Sequence, residues 1–259
     1  MKGRNCQMKT ISEIKQEIAV CKESEWEMLF DAYSTDNRTG VVNMLENLRK
    51  KQTKLQQEIA RIEVMKKYEY QYGSDGLVCG IDEVGRGPLA GPVVAGAVIL
   101  PKNCKILYLN DSKQLSERKR EALYDVIMRE AVAVGIGFAS PKRIDEINIL
   151  QATYEAMRDA IGQLSVQPDV LLNDAVTIPK VDILQVPIVK GDAKSVSIAA
   201  ASIVAKVTRD RLMVEYEGMF PGYGFASNKG YGSQVHIEAL KVNGPVPIHR
   251  RSFIGNFVL

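Results

Sequence analysis

The stretch GIDEVGRGPLAGP, residues 80–92, constrains this chain more than any other. An apolar run at 77–81 leads into Asp82 and Glu83, and a loop broken by glycine and proline then exposes Arg86. Such a run predicts a buried strand, and successive side chains of a regular strand point to opposite faces. Asp82 and Glu83 therefore serve one site only if the strand ends or twists there, which the glycines favour.

Further apolar runs at 93–100 and, shorter, at 106–109 predict two more strands, and links this short make the three antiparallel. Ser116 suits the N-cap of a helix running to about residue 130. A strand at 132–139, a helix over 143–164 and a short strand at 170–173 ending at Asp174 follow. Next come an extended segment at 183–189 and a long helix over 195–217 with an alanine-rich, tightly packing start. The tail from Phe220 mixes glycine, aromatic and basic residues, with a helical turn at 235–242 that carries His236 as a surface residue. Three antiparallel strands followed by alternating helices and strands argue for an α/β mixed sheet with helices on both faces.

Residues 1–72 read as a helical extension separate from a main domain at 73–259. Thr10 with Glu13, and Ser24 with Glu27, have capping-box spacing. Leu48, Leu55 and Ile62 fall seven apart with Leu45 and Ile59 alongside, which predicts one long amphipathic helix after one or two short ones. The extension is either a small bundle or an appendage whose cations Arg49, Lys50, Lys51 and Lys54 meet a partner or nucleic acid; such a run is ordinarily a solvated face. Loop composition from Tyr72 through Gly73, Ser74 and Asp75 to Gly76 marks the boundary.

Composition removes several classes of function. With 46% hydrophobic residues and no apolar run of roughly 18, a membrane span is not expected, and the N-terminus lacks the apolar core of a signal peptide, so a cytoplasmic protein is expected. Cys6, Cys21, Cys79 and Cys104 are scattered without CxxC spacing, which predicts reduced thiols rather than a zinc site. His236 and His249 are the only histidines, so any metal is a hard cation held by oxygen. A net charge of +3 means that a nucleic-acid partner is met by a local basic surface.

Four carboxylates stand at strand ends or just before a helix: Asp82 and Glu83, Asp174, and Asp192 in the loop Lys190-Gly191-Asp192. In α/β sheets, sites gather where strands end. If the four meet, a pair about 4 Å apart costs on the order of 4 kcal/mol at an effective dielectric of about 20, and a divalent cation removes that penalty. Oxygen-only ligation favours Mg²⁺ or Mn²⁺, which leave places for water and a substrate phosphate. Singly, each acid has another reading: Asp82 and Glu83 as a solvated strand end, Asp174 as a turn residue, Asp192 as a helix cap.

GIDEVGRGPLAGPVVAGAVIL, DSKQLSERKR, VLLNDA, KGDAKSVSIAAASIVAKVTRD, NKGYGS and HRRSF, in that order over about residues 77–255, closely resemble bacterial ribonuclease HII. The extension lies outside that resemblance. It implies an RNase H-like fold and a monomeric, two-metal endonuclease that cleaves the RNA strand of RNA-DNA hybrids and nicks duplex DNA 5′ of embedded ribonucleotides, leaving 3′-hydroxyl and 5′-phosphate ends. The family's metal-binding acids map onto Asp82, Glu83, Asp174 and Asp192, its GRG element onto Gly85, Arg86 and Gly87, and its ribonucleotide-sensing tyrosine onto Tyr231. One departure is Asn173-Asp174-Ala175, where the family commonly has an apolar residue, Asp and Gly; it touches the local turn rather than the carboxylate.

Selecting a ribonucleotide means sensing a 2′-hydroxyl. Gly85 and Gly87 would let backbone groups approach the sugar, or else they only turn the chain while Tyr231 packs. Lys113, Lys194, Ser202, Lys206, Ser233, His249, Arg250 and Arg251, with Ser252 beside them, are candidates for phosphate contacts, which position a duplex without reading its sequence. Two other readings stay open: another metal-dependent nuclease or transferase on the same fold, and a non-catalytic hybrid-binding module. A phosphate-loop nucleotidase is disfavoured because GRGPLAGP lacks the lysine and hydroxyl that close such a loop.

Overall fold

The computed structural model describes residues 9–74 and 76–258; Cys6 and Asp75, named above, lie outside the described residues. The chain divides into two compact units, one up to Arg61 and one from Ile62. The first contains α1 (Ile11–Val20), α2 (Trp26–Ala32) and most of α3 (Thr39–Met65). Its core gathers Ile14, Trp26, Leu29, Phe30, Val41, Leu45 and Leu48. The Thr10/Glu13 capping box forms, with Thr10 Oγ1 accepting the Glu13 N–H at 3.2 Å and Glu13 Oε2 accepting the Thr10 N–H at 2.7 Å. Ser24 caps nothing. It lies in a 3₁₀ turn, Glu23–Glu25, and Glu25 rather than Glu27 reaches back, to the Lys22 N–H at 3.0 Å. Arg49, Lys50, Lys51 and Lys54 are exposed on α3.

The second unit opens with the end of α3 and α4 (Lys67–Tyr72) and is built on one sheet. Strands β1 (Val78–Val84) and β2 (Val93–Ile99) precede α5 (Glu117–Glu130), β3 (Ala133–Ala139), α6 (Pro141–Ile147) and α7 (Ile149–Gly162). There follow β4 (Val170–Asp174), β5 (Leu184–Ile188), α8 (Val196–Met219) and the short α9 (Phe225–Asn228), α10 (Gln234–Asn243) and α11 (Arg251–Ile254). The order across the sheet is β3-β2-β1-β4-β5; β1, β2 and β3 pair antiparallel, while β4 lies parallel to both β1 and β5. Helices cover both faces, so β2 is buried along its whole length and reads as an unbroken apolar run.

Two expected elements differ. Residues 106–109 form no strand: Ile106 and Leu109 are apolar because they enter the core beside Leu123 and Val207, and Tyr108 between them has φ +67°. The helix expected over 143–164 is two helices, broken at Asn148, which has φ +69° and caps α7 by accepting the N–H groups of Leu150 and Gln151. Cys21, Cys79 and Cys104 are free thiols, and among the described residues no helix is long and apolar enough to cross a membrane.

The α8 face of the sheet is flush. Ideal methyl groups built on Gly80 and Gly96 would lie 2.0 Å from the Ser197 carbonyl carbon and 2.5 Å from the Ala201 oxygen. Glycine at these two positions is what lets the helix backbone rest on the strands. The alanine-rich start of α8 follows from the same close approach.

Candidate active site

Pairing between β1 and β4 runs from Val78 opposite Val170 to Ile81 opposite Asn173 and stops there. Strand β1 continues through Asp82, Glu83 and Val84, held only by β2. The next step of the register sets Asp82 opposite Asp174, on strands about 4.8 Å apart. Val78, Val170 and Leu172 pack with Ile198 of α8, so by alternation Asp82 and Asp174 emerge on the α8 face and Glu83 on the other. The sequence asks the strand to end or twist at Asp82 and Glu83; the strand instead runs on past both, and the Glu83 carboxylate nonetheless lies in the field of Asp174. The strand ends after Val84, where Gly85 at φ +90° turns the chain away. Beyond β1 the chain returns through β2, whereas β4 leads to β5 on the opposite side. The acids thus stand in the crevice at the carboxyl ends of the strands where the topology switches, the place at which open α/β sheets bind ligands.

Asp82 is only 6% exposed. Burial above all, then the charges of Glu83 and Asp174, push its carboxyl well above the ordinary range, while a hydrogen bond with Ser202 pulls the other way. Its Oδ1 also accepts the Glu83 N–H at 2.8 Å. Glu83 is raised mainly by burial, with Arg86 opposing at 3.4 Å and Asp174 adding. Asp192 is raised by burial, then by Asp111 and Asp174. Asp174 accepts the Gly191 N–H at 2.7 Å, which ties the end of β4 to the loop carrying Asp192. The turn after Asp174 keeps the shape a glycine would give it: Ala175 sits at φ +59°, with its N–H donated to Ile188 O.

Each acid thus lies in the field of at least one other, and their donors are all carboxylate oxygens, the chemistry a hard divalent cation accepts. As the side chains are placed, no group of three His, Cys, Asp or Glu among the described residues is arranged to hold a metal ion. Asp111 belongs to this field and was missed in the sequence. It caps the Ser112–Gln114 turn by accepting the Lys113 N–H.

The substrate candidates separate clearly. Arg86, Gly87 and Tyr231 are exposed and adjacent, for a methyl on Gly87 would lie 3.8 Å from Tyr231 Cε1. Lys113, Lys194 and Arg251 are exposed as well. Ser202 is buried and bonded to Ser112 at 2.9 Å, Lys206 pairs with Asp210 at 2.6 Å, and Ser233 caps α10. His249 and Arg250 are buried with their nitrogens engaged inside the protein, so as placed neither reaches a phosphate.

His236, expected on the surface, is fully buried. Its Nδ1 donates to the Tyr231 carbonyl at 2.8 Å, so its Nε2 is the acceptor of the His249 Nε2–H at 2.9 Å, and His249 Nδ1 accepts the Val246 N–H at 2.9 Å. That chain closes only with both rings neutral.

Residues 79–256 match the Ribonuclease HII family, and residues 10–73 match its Ribonuclease HII N-terminal domain. The chain belongs to the ribonuclease HII family. A ribonuclease HII of Lachnoclostridium phytofermentans is 66% identical over 246 residues, covering 95% of this chain and 97% of the relative. The ribonuclease H2 of Pyrococcus horikoshii superposes with a TM-score of 0.58 at 32% identity, covering 68% of this chain and 93% of that one. Bst-RNase HIII, solved in complex with Mn²⁺, shares the fold at a TM-score of 0.50 and 17% identity, over 65% of this chain and 63% of its own. As a ribonuclease HII this chain is a ribonuclease H-class hydrolase, an endoribonuclease of RNA-DNA hybrids, and the extension that the resemblance left aside is part of the family.

Proposed function

We propose that the enzyme also nicks duplex DNA on the 5′ side of single embedded ribonucleotides, and that both reactions use two divalent cations, Mg²⁺ or Mn²⁺, and leave 3′-hydroxyl and 5′-phosphate ends. The observation that carries this reading is the rung left open past Ile81 and Asn173, where Asp82 faces Asp174 and neither has a basic partner among the described residues. Asp82, Glu83, Asp174 and Asp192 would hold the cations, which when bound offset charge on the phosphodiester and activate water. Bst-RNase HIII, solved in complex with Mn²⁺, has the same fold.

The remaining work belongs to the chain itself. Ser202 and the Glu83 N–H fix the Asp82 carboxylate, and the Gly191 N–H fixes Asp174. Gly85, Arg86 and Gly87 bring backbone to the sugar, with the Tyr231 ring beside them, and Lys113, Lys194 and Arg251 hold phosphates.

The test is a duplex with one ribonucleotide beside an all-DNA control, in Mg²⁺, Mn²⁺ or chelator. Asp82→Asn is expected to abolish the nick and weaken calorimetric Mn²⁺ binding while leaving the circular dichroism unchanged. Near-normal turnover by that variant sinks the assignment, and equal cutting of the all-DNA control sinks the selectivity.

A further inference from the structure

Two arginines are completely buried and neither forms an ion pair among the described residues, although a buried cation ordinarily requires an opposite charge. Arg250 donates to the carbonyls of Gly85, Arg86 and Gly91, and Arg209 to those of Ala90, Pro92 and Lys229. The Gly85–Pro92 loop therefore turns its carbonyls inward onto a pair of guanidiniums. Both remain cations at neutral pH even though burial lowers them, Arg209 to about 10 and Arg250 to about 9.

The consequence follows from peptide geometry. In a trans peptide the C=O of one residue and the N–H of the next point in opposite directions, and the chain has no cis bonds among its described residues. The Gly85 carbonyl faces Arg250 at 2.5 Å and the Arg86 carbonyl at 2.8 Å. The N–H groups of Arg86 and Gly87 are thereby aimed away from the interior, on residues that are exposed, and neither meets an acceptor among the described residues. The next three behave otherwise: Pro88 has no N–H, and those of Leu89 and Ala90 are spent on Gly230 O.

We infer that Arg250, with Arg209 beside it, is a specificity-positioning residue: it locks the two peptides that present the Arg86 and Gly87 N–H groups to the 2′-oxygen of the ribonucleotide. The inference rests on the reading that the Gly85–Gly87 backbone meets the sugar. Arg250 acts through the loop and touches no substrate itself. A lysine in its place keeps the charge but cannot hold three carbonyls in one plane. Gly85 fits the same scheme, since a methyl there would lie 2.3 Å from Arg209 Nε.

Two measurements test this. Arg250→Lys is expected to lose about 100-fold in kcat/KM at a single embedded ribonucleotide, per folded molecule, with calorimetric Mn²⁺ binding unchanged. A variant that only melts earlier, with kcat/KM within about threefold, overturns it. Should the variant not fold, hydrogen exchange on the unmodified enzyme in chelator decides. The Arg86 and Gly87 amides are expected to exchange freely alone and to slow about tenfold with the ribonucleotide duplex, but not with its all-deoxy counterpart. Slow exchange in the free enzyme overturns the orientation by Arg250 and leaves the sugar contact standing. Free exchange that the ribonucleotide duplex does not slow overturns the sugar contact, and the inference with it.

Discussion

Gly80→Ala should be among the most damaging single-methyl changes in this protein. Gly80 lies on β1 two residues before Asp82, on the face covered by α8. The added carbon would meet the Ser197 carbonyl carbon at 2.0 Å and the Ile198 nitrogen at 2.3 Å, where ordinary contact begins at 3.4 Å. The obstacle is backbone and no rotamer relieves it, so the start of α8 must retreat by about 1.4 Å. Overpacking of this kind costs about 3 kcal/mol, and at about 2–4 °C per kcal/mol for a domain of this size the melting temperature falls by about 6–12 °C.

Activity should fall further than stability. The same retreat draws Ser202 away from Asp82, and a misplacement of about 1 Å at a site typically costs about 100-fold in rate. Gly218→Ala, near the other end of α8 with open space at its Cβ, is the control and should gain about 0.8–1 kcal/mol. Melting curves and single-ribonucleotide cleavage of the three proteins decide the matter. A Gly80→Ala enzyme that melts within about 2 °C of the parent and keeps half its rate would refute the flush packing.

Three further outcomes are expected. His249 is held down to about 4 by burial and by His236, so between pH 6.5 and 4 the unfolded chain binds the extra proton and the residue's contribution, complete above 6.5, is lost on acidification. The stability deficit of His249→Asn measured in urea should therefore shrink by about 2–3 kcal/mol between pH 7.5 and 4.5, and a constant deficit would contradict the neutral pair. Ala175→Gly should raise the unfolding free energy measured in urea by about 0.5–1 kcal/mol, the relief at φ +59° less the added freedom of the unfolded chain; a lower value would show that the methyl contributes packing. Binding of an uncleaved hybrid in chelator should weaken steeply with salt, and Lys113→Ala or Arg251→Ala should each flatten the log–log slope by about 0.7–0.9, whereas Lys206→Ala, whose ammonium is paired with Asp210, should not.

What the sequence made legible and what it concealed have physical causes. Strands β1, β2 and β4 were visible because burial on both faces leaves near-continuous apolar runs. The same signal misled at 106–109, where Ile106 and Leu109 are equally buried without pairing, and apolar periodicity alone does not separate the two cases. The break at Asn148 was within reach, since an asparagine that tolerates positive φ and caps the following turn is a helix start inside a helical run. The four acids were singled out because they stand at strand ends or just before a helix and because the blocks that carry them resemble those of a known family. Arg250 and His249 were misplaced on the surface because HRRS reads as a charge run; the inward carbonyls of a distant loop show why Arg250 is buried, and the His236 ring and the Val246 N–H why His249 is. Arg209 was not singled out for the same reason.

The buried charges of this domain are sorted rather than paired. On α8, Asp210 takes Lys206 at 2.6 Å and Arg120 at 3.7 Å, so conventional pairing is available in the same helix. Its neighbour Arg209, and Arg250 beyond it, are solvated by carbonyls instead, while at the carboxyl ends of the strands burial and neighbouring carboxylates raise the proton affinity of Asp82, Glu83 and Asp192. Of the four acids Glu83 has a basic partner, Arg86 at 3.4 Å, and the burial of the remaining like charges costs the free enzyme stability. On the reading proposed above, a ribonucleotide duplex with divalent cations would engage both sets at once, its 2′-oxygen meeting the N–H groups of the arginine-backed loop and the cations meeting the acids. Ligands that bind only the folded state add their binding energy to its stability. On this arrangement, duplex and cation together should therefore raise the melting temperature of the Asp82→Asn enzyme less than that of the parent, even where neither protein is allowed to turn over.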